Sequence, residues 1–528
     1  MKSKLRIHAE AVAFLVSLAG CAAGHAGPDR VSNRIPAAHP REPLAAIYGR
    51  APPFESAKDG AFATGVALTD FDGDGAPDLI VANGNDMSPQ PLTLYLNHAA
   101  TKSGASTPFS AYPDWYSDDI DYLGNVAVGD IDGDGWTDVA VSVPLDKSRH
   151  TQGGGIKIYM NHQGRLESLP SQRIAEGYGS FDCDLADMNG DGKLDLAVSA
   201  FNMPVPPPTQ ERRREPARVY LNEGGRLHPA RDWTSEKPMF GFSVHAADVD
   251  QDGWMDLAFG GEDISLFRGS PPAPRFALKA AWQSESTAGV VFSIDSGRIG
   301  PGPHLALAAT RTCVPGGPPC VSDVVLFRPD TARSESVWRS RTAHYASMLL
   351  LADVNDDGFL DLVASQWGEK VKGGPLWFFR GRAEGTFSRE PDFETAGKGI
   401  AVGQGLAVAD TRSRAVTDRE YVWRSHQEPH GPVITLPERR VVSITSVRVA
   451  GREVPRNGWA FVPGENWISL AGGIASGVEV RITYRASPVH DLVEATWDSN
   501  RGNLFFASAL PSRFAPEITD AGLARTLP

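Results

Sequence analysis

Residues 67–82 read ALTDFDGDGAPDLIVA, an apolar strand, a loop with Asp at alternate positions and a second apolar strand. Four further segments repeat this pattern: AVGDIDGDGWTDVAVS from Ala127, DLADMNGDGKLDLAVS from Asp184, HAADVDQDGWMDLAFG from His245 and LLADVNDDGFLDLVAS from Leu350. The first four copies lie 57 to 61 residues apart, and the fifth follows after 105, nearly two such periods. A repeat of this length predicts one supersecondary unit that recurs along the chain.

Each unit contains two more segments with strand character. LTLYLN at 92–97 is matched in later units by IKIYMN, RVYLN, ISLFRG, DVVLFRP and LWFFRG, and a segment such as RLESL or RFALK follows as a fourth strand. Four strands in a fixed period predict the blade of a β-propeller, whose units bury their faces only by packing around an axis. The long gap holds a sixth unit, VVFSIDSGRIGPGPHLALAA from Val290, in which Asp295 is taken as the only loop carboxylate.

A seventh blade is split in the sequence. LAVAD at 406–410 matches an incoming strand, and DLVEATWDSNRGNLFFAS from Asp491 matches the rest of a unit. The residues between them alternate in polarity, which is typical of strands. We therefore predict a small β-sandwich domain at 412–489, inserted into the loop of blade seven. The alternative is a C-terminal domain that follows a six-bladed propeller.

The ring of blades also needs an outer strand for blade seven. PPFES at 52–56 resembles the fourth strand of other blades and would remove a free sheet edge, and Arg513-Phe514 is the other candidate. The fold predicted is an all-β, seven-bladed propeller with an inserted domain. Its expected parts are a signal peptide at 1–20, a tether at 21–50, blades one to six and the start of blade seven at 51–411, the inserted domain at 412–489, the rest of blade seven at 490–514 and a tail at 515–528.

The Asp-rich loops have the chemistry of a calcium site. Calcium takes roughly six to eight oxygen ligands. In D-x-D-x-D-G-x-x-D the side chains at positions one, three, five and nine can converge with the backbone carbonyl of position seven, and Gly at position six permits the tight turn. Five calcium sites are expected, with these ligands: Asp70, Asp72, Asp74, Ala76 and Asp78; Asp130, Asp132, Asp134, Trp136 and Asp138; Asp187, Asn189, Asp191, Lys193 and Asp195; Asp248, Asp250, Asp252, Trp254 and Asp256; Asp353, Asn355, Asp357, Phe359 and Asp361.

An EF-hand begins with the same pattern but requires a bidentate Glu at position twelve between two helices. Position twelve is apolar in all five loops and lies in a predicted strand, so an EF-hand is excluded: the residues are Val81, Val141, Val198, Phe259 and Ala364. The loops and flanking strands resemble the FG-GAP/VCBS repeats of bacterial surface proteins and of the integrin α-subunit propeller. The resemblance covers most of 60–411 and 491–508. It implies structural calcium loops on one side of the blades, and blades five and seven, which lack the ligands, should bind no metal.

The N-terminus predicts export. A basic region and a short apolar core precede Leu18-Ala19-Gly20-Cys21, which resembles the lipobox of bacterial lipoproteins, where the Cys is acylated. Ala22 after this Cys indicates, by the same resemblance, an outer-membrane lipoprotein of the bacterial cell envelope, on either its periplasmic or its surface side. The alternative is an ordinary secretory signal with a chance Cys.

The other cysteines fit an exported protein. Cys313 and Cys320 bracket a turn-forming Val-Pro-Gly-Gly-Pro-Pro stretch, which predicts a small loop disulfide. Cys183 lies in an apolar strand and is expected to be a buried small side chain.

Charge and motifs limit the function. The formal net charge of -13 argues against a nucleic-acid partner. The sequence has no H-E-x-x-H, G-x-S-x-G, P-loop or G-x-G-x-x-G motif, and we identify no catalytic residue. Two classes remain. One is a surface-anchored, calcium-binding and scaffolding module that binds a protein or a glycan through the propeller face opposite the loops or through the inserted domain. The alternative is a calcium-dependent polysaccharide lyase or hydrolase, and the absence of catalytic motifs favours binding.

Overall fold

The computed structural model describes residues 44–509, apart from 99–106, 146–153, 176–178, 202–213, 272–275, 287–288, 301, 314–320, 331–332, 342, 344, 367–373, 397–401, 414–415, 425–429 and 499. Within these residues it has one short α-helix, α1 (Leu44–Ile47), and one 3-10 turn (Arg456–Gly458). None of the helical segments that the structure describes is long and apolar enough to cross a membrane. Everything else that is regular is antiparallel β-sheet, so the all-β prediction is confirmed.

A two-residue strand, β1 (Phe54–Glu55), precedes the repeated sheets. Sheet one comprises β2 (Ala63–Thr69), β3 (Asp78–Asn83), β4 (Gln90–Tyr95) and β5 (Trp115–Asp121). Sheet two comprises β6 (Val126–Gly129), β7 (Asp138–Val143), β8 (Gly155–Tyr159) and β9 (Gln172–Ile174). Sheet three comprises β10 (Cys183–Ala186), β11 (Asp195–Val198), β12 (Arg218–Tyr220) and, after a small hairpin of β13 (Asn222–Glu223) and β14 (Arg226–Leu227), β15 (Trp233–Thr234).

The next three sheets repeat this order. Sheet four comprises β16 (Ser243–Ala247), β17 (Asp256–Gly260), β18 (Ile264–Phe267) and β19 (Trp282–Gln283). Sheet five comprises β20 (Val290–Gly297), β21 (Ala306–Thr312), β22 (Asp323–Phe327) and β23 (Trp338–Arg339). Sheet six comprises β24 (Ala346–Ala352), β25 (Asp361–Gln366), β26 (Trp377–Phe379) and β27 (Phe393–Glu394).

Two smaller sheets interrupt the seventh. After β28 (Gly403–Ala409) come β29 (Thr417–Arg424), β30 (Val433–Thr435), β31 (Val441–Val449), β32 (Arg452–Glu453), β33 (Trp459–Ala460), β34 (Trp467–Leu470) and β35 (Glu479–Ala486). These seven strands between β28 and Asp491, here called the inserted segment, form one sheet ordered β29-β35-β31-β32 and one ordered β30-β34-β33. Its own core contains Ile468, Ile482 and Tyr484.

Sheet seven is assembled from both ends of the described chain. Its order is β28, β36 (Asp491–Thr496), β37 (Leu504–Phe506) and then β1, with Phe54 opposite Phe505. The outer strand therefore comes from the N-terminal segment at 52–56, and the other candidate, Arg513-Phe514, lies outside the described residues.

The first strands of the seven sheets contact one another in a closed circle. β2 contacts β6, β6 contacts β10, and the sequence continues through β16, β20, β24 and β28 back to β2. Sheets whose innermost strands surround an axis in this way form a β-propeller. Apolar side chains between neighbouring sheets form the core, as Ile158, Leu196 and Leu257 do around sheets two to four.

The strand register corrects the assignment of Asp295. Gly297 pairs with Ala306 at the mouth of the loop of sheet five, at the place where Asp78 begins the second strand of sheet one. The first loop position is therefore Arg298, and Asp295 lies buried inside β20. The sequence assignment was wrong because β20 includes Asp295 and continues to Gly297, whereas in the acidic loops the first strand ends before the first Asp.

The outer strands also begin later than the sequence predicted. RLESL at 165–169 precedes β9, and RFALK at 275–279 precedes β19. Their apolar residues Leu166 and Phe276 are buried in the turn after the third strand, where each makes an isolated β-bridge. These segments cover the core between blades, and the outer strand follows them.

The cysteines are placed only in part. Cys183 is a buried free thiol. Cys313 takes part in a disulfide, while Cys320 and the proposed lipidation site Cys21 lie outside the described residues. The Cys313–Cys320 pairing and the acylation of Cys21 remain predictions.

Candidate metal-binding loops

Loops one and two, each between the first and second strands of its sheet, bring carboxylates together. One oxygen each from Asp70, Asp72 and Asp78 lie within 4.8 Å of one another, and the equivalent positions of loop two converge in the same way. Three carboxylates at this spacing can surround a cation, and hard oxygen ligands favour calcium or magnesium. In loop two the residues are Asp130, Asp132 and Asp138.

The backbone of loop one holds its first carboxylate in place. Gly73 and Gly75 donate their N–H groups to the two oxygens of Asp70 at 2.7 and 2.9 Å. Both glycines have positive φ, 80° and 87°, a conformation that costs L-residues free energy. A β-carbon on Gly73 would also lie 2.9 Å from the ring of Trp136, which packs there from loop two. The glycine thus serves the turn and the contact between blades.

The Asp at the ninth loop position has a structural role and can also bind a cation. Asp78 is fully buried and accepts N–H groups from Phe71 at 2.9 Å and from Asn97 at 2.8 Å, so it joins the loop to the end of the third strand. Asp138 makes the same two bonds, to Ile131 and Asn161. Sequence reasoning identified these residues as ligands but did not anticipate that they also fix the strand.

Burial makes these carboxyls difficult to ionise without a cation. Burial, followed by repulsion from the neighbouring carboxylates, raises the pKa of Asp78 to about 7 and that of Asp138 to about 8. The same causes raise the pKa of Asp248 in loop four to about 8. In loops one and two a bound divalent cation would offset the repulsion, so their donor sets fit a metal ion.

Loop three and the fifth acidic loop, which lies in sheet six and is called loop five, have Asn at the third position. Both keep the same framework. Gly190 and Gly192 donate to Asp187 at 2.7 and 2.8 Å. In loop five, Asn355 Oδ1 and Asp357 Oδ2 are buried and accept no hydrogen bond from the described residues. Buried oxygens without a donor are costly, and a cation would satisfy them.

The seventh-position residues have a clear role in the loops through their N–H groups. In all five loops this N–H donates to the carboxylate of the Asp at position five, at 2.8 to 3.1 Å. Their carbonyls were predicted as ligands, and that prediction stays open: the residues are Ala76, Trp136, Lys193, Trp254 and Phe359.

Loop four differs from loops one and two. Its converging carboxylates are Asp248, Asp250 and Asp252, at positions one, three and five. The ninth-position Asp256 instead has one oxygen 2.7 Å from the guanidinium of Arg268, which is also 3.4 Å from Asp250.

The inserted segment lies directly on these loops. Ser469 donates its hydroxyl to Asp187 at 2.7 Å, and Arg456 lies 2.6 Å from Asp130. The backbone N–H groups of Val433 and Gly472 donate to loop carbonyls of sheets four and three at 2.9 and 3.1 Å. Trp467 joins the apolar core of sheets two to four. The repeat pattern contains no signal for these contacts, although an insertion in loop seven starts and ends on the face where the other loops lie.

Comparisons with known proteins agree with this architecture. The models of an FG-GAP-like repeat and of the FG-GAP repeat match residues 70–141 and 124–159. Integrin alpha-6 of Homo sapiens is 28% identical over 159 residues, which are 28% of this chain and 13% of that protein. Integrin alpha-V of Gallus gallus is 28% identical over 227 residues, 39% of this chain and 21% of that protein.

The chain thus spans about a fifth or less of the length of these relatives. Among solved structures, the V. cholerae biofilm matrix protein Bap1 aligns over 88% of this chain and 76% of that chain, with 12% identity and a TM-score of 0.36. The family matches show FG-GAP repeats at residues 70–159, and the chain is similar to integrin alpha chains.

Proposed function

We propose that this protein is a lipid-anchored, calcium-binding scaffold of the bacterial cell envelope that binds a protein or glycan ligand. The observation that carries the proposal is the coincidence of FG-GAP repeats with converging carboxylates in the loops of the same residues. Its similarity to integrin alpha chains supports a protein ligand. Export and anchoring rest on the N-terminal sequence that ends in Cys21.

The loop face and the opposite face have different roles in this proposal. Ser469, Arg456 and Val433 of the inserted segment contact the loop face, so that face is in part already used within the chain. We place the ligand on the opposite propeller face or on the exposed sheet of the inserted segment. Calcium then stabilises the loops and does not contact the bound protein or glycan.

Calcium dependence is tested by thermal melting and by binding stoichiometry. Each tight site adds about 2.7 kcal/mol of stability when free calcium is 100 times the Kd, so EDTA should lower the melting temperature by many degrees. The double variant Asp72→Ala/Asp132→Ala should lose the part of that calcium response that loops one and two contribute and should retain the fold. A melting curve that is the same in EDTA and in calcium would exclude the calcium role.

Ligand binding is tested separately on glycan arrays and on envelope protein fractions. The full chain should retain one glycan class or one protein, and substitutions on the face opposite the loops should abolish retention without changing the melting temperature. Absence of retention from every glycan and envelope fraction would contradict the scaffold function.

A polysaccharide-degrading enzyme is the second candidate, and one cavity favours it. This cavity of about 170 Å³ is lined by Glu494, Arg501 and Glu55. Paired carboxyls with different environments are the usual acid and base of glycoside cleavage. Turnover of a polysaccharide panel that Glu494→Gln abolishes would establish this function in place of the scaffold.

A further inference from the structure

The end of the third strand divides the sheets into two groups. Sheets one to three end in Tyr-Leu-Asn or Tyr-Met-Asn, and sheets four to six end in Phe-Arg-Gly or Phe-Arg-Pro. In the first group the Asn side chain joins loop to strand, as Asn161 does by donating to the Phe71 carbonyl at 2.9 Å. In the second group an Arg takes the place of the uncharged Leu or Met: the residues are Arg268, Arg328 and Arg380.

Arg268 reaches into the acidic loop of sheet four. Its Nη1 donates to Asp256 Oδ2 at 2.7 Å and lies 3.4 Å from Asp250 Oδ2. These carboxylates hold the ninth and third positions, which converge in loops one and two. The Asp256 side chain is 1% exposed, so the guanidinium supplies a positive charge in a desolvated place. The corresponding residues of loops one and two, Leu96 and Met160, carry no charge.

The arrangement of the carboxylates differs accordingly. Positions one, three and nine converge in loops one and two, whereas positions one, three and five converge in loop four. The ninth carboxylate is the one that Arg268 holds. A divalent cation among Asp248, Asp250 and Asp256 would lie beside the like charge of the guanidinium that already contacts Asp250 and Asp256.

In sheet five, too, the Arg at the end of the third strand contacts the loop. Its loop lacks acids at the ligand positions, and Arg328 enters it, donating Nη2 to the carbonyls of Ile299 at 2.6 Å and Gly385 at 3.2 Å. Ile299 follows the first loop position. In two consecutive sheets the Arg at this strand position therefore provides charged donors to a loop, whereas sheets one to three have an uncharged Leu or Met there.

We propose that the guanidinium of Arg268 takes the place of a divalent cation in loop four. Loop four folds without a divalent ion and binds calcium weakly, whereas loops one and two bind calcium tightly. This inference rests on the proposed calcium function and adds that the five acidic loops are not equivalent. Its consequence is that the number of tightly bound calcium ions is smaller than the number of acidic loops.

Matched substitutions at the third loop position test the proposal. Calcium ions bound per full chain are counted by native mass spectrometry and isothermal titration after chelation. Asp72→Ala in loop one should lose one tight site, and Asp250→Ala in loop four should lose none. An equal loss in both variants would overturn the proposal while leaving the calcium function intact.

The reverse experiment removes the guanidinium. Arg268→Leu restores the residue type of sheets one to three and should gain one calcium site, with a larger rise of melting temperature on adding calcium than the wild type shows. Arg328→Leu, whose loop has no carboxylate ligands, should gain none. If the wild type binds no calcium, the proposed calcium function fails, but a site gained in Arg268→Leu still supports this inference. If Arg268→Leu gains no site, the inference is wrong.

Discussion

Arg440 of the inserted segment lies 3.1 Å from Asp295, which is buried in the innermost strand of sheet five. Arg439 contacts the other oxygen of the same carboxylate, and His245 of sheet four lies 3.9 Å away. The side chains of Asp295 and Arg439 are 9% and 8% exposed. Sheet five, whose loop has no carboxylate at a ligand position, therefore binds the inserted segment through a buried ion pair near the propeller axis.

We expect Asp295→Asn to destabilise the protein by about 3 kcal/mol, because it removes the carboxylate that contacts the buried Arg439 and leaves Arg440 with Glu465 at 3.7 Å. The free energy of unfolding is measured by urea titration at neutral pH. Asp418→Asn is the control, since its carboxylate is exposed and 3.9 Å from Arg485, and exposed pairs contribute about 0–1 kcal/mol. Equal effects of the two substitutions would show that the axial pair does not anchor the segment.

The same ion pair should make the protein sensitive to acid. Burial alone raises the pKa of Asp295, but Arg439 and Arg440 outweigh it and lower the pKa to about 2. A carboxyl with a lowered folded pKa stabilises the protein above its unfolded pKa, near 3.8, and that stability is lost as the pH falls from there toward 2. Urea unfolding of the wild type should weaken over this window, and Asp295→Asn should show a smaller decline. Parallel pH profiles would contradict the assignment.

Ser469 tests whether the inserted segment depends on loop three. Its hydroxyl donates to the buried Asp187 at 2.7 Å, so Ser469→Ala removes a charge-assisted hydrogen bond and should cost about 1.5–3 kcal/mol. Ser446→Ala in the same segment is the control, because its bond to Glu453 is exposed. Hydrogen exchange of β34 should also rise in Ser469→Ala. Unchanged exchange would mean that loop three does not hold the segment.

Ring closure by β1 predicts a sharp effect of truncation. Phe54 and Glu55 pair with Phe505 and Leu504, the Ser56 N–H donates to the Asn503 carbonyl, and the Asn503 N–H donates to the Ser56 hydroxyl oxygen. Deleting residues 1–57 uncovers the edge of β37 and should cause aggregation and a lower melting temperature. Deleting residues 1–43, which lie ahead of the described chain, should leave the melting temperature unchanged. Similar melting of both truncations would show that β1 is dispensable.

The propeller and its loops were predictable because both follow from a repeated local pattern. Asp at alternate loop positions and apolar residues in flanking strands specify one hairpin, and the period places the hairpins in neighbouring sheets. The innermost ring of strands and the convergence of Asp70, Asp72 and Asp78 agree with that reading.

Contacts made by unrepeated residues were not predictable in the same way. Nothing in the local pattern links Ser469 to Asp187 or Arg440 to Asp295, since those pairs are separated by more than 100 residues and depend on how the inserted segment docks. Arg268 is an intermediate case. Its Phe-Arg-Gly sequence departs visibly from Tyr-Leu-Asn, but only the fold shows that the side chain enters the loop.

Glu494 should make stability depend on pH near neutrality. It lies in β36, is 1% exposed, and its Oε1 accepts no hydrogen bond from the residues that the structure describes. Burial raises its pKa to about 8, with Arg501 opposing the shift. Because the folded pKa exceeds the unfolded one, near 4.5, the stability that the neutral acid contributes is lost as the pH rises from 4.5 to about 8.

Glu494→Gln replaces this acid by a neutral group of the same shape. Relative to the variant, the wild type should lose about 1.4 kcal/mol of stability per pH unit within that window and nothing further above it. Urea unfolding at pH values from 5 to 9 measures the difference, and Glu420→Gln, an exposed carboxyl of the inserted segment, is the control that should follow the wild type. If wild type and Glu494→Gln change in parallel, folding does not raise the pKa of Glu494, and the assignment is wrong.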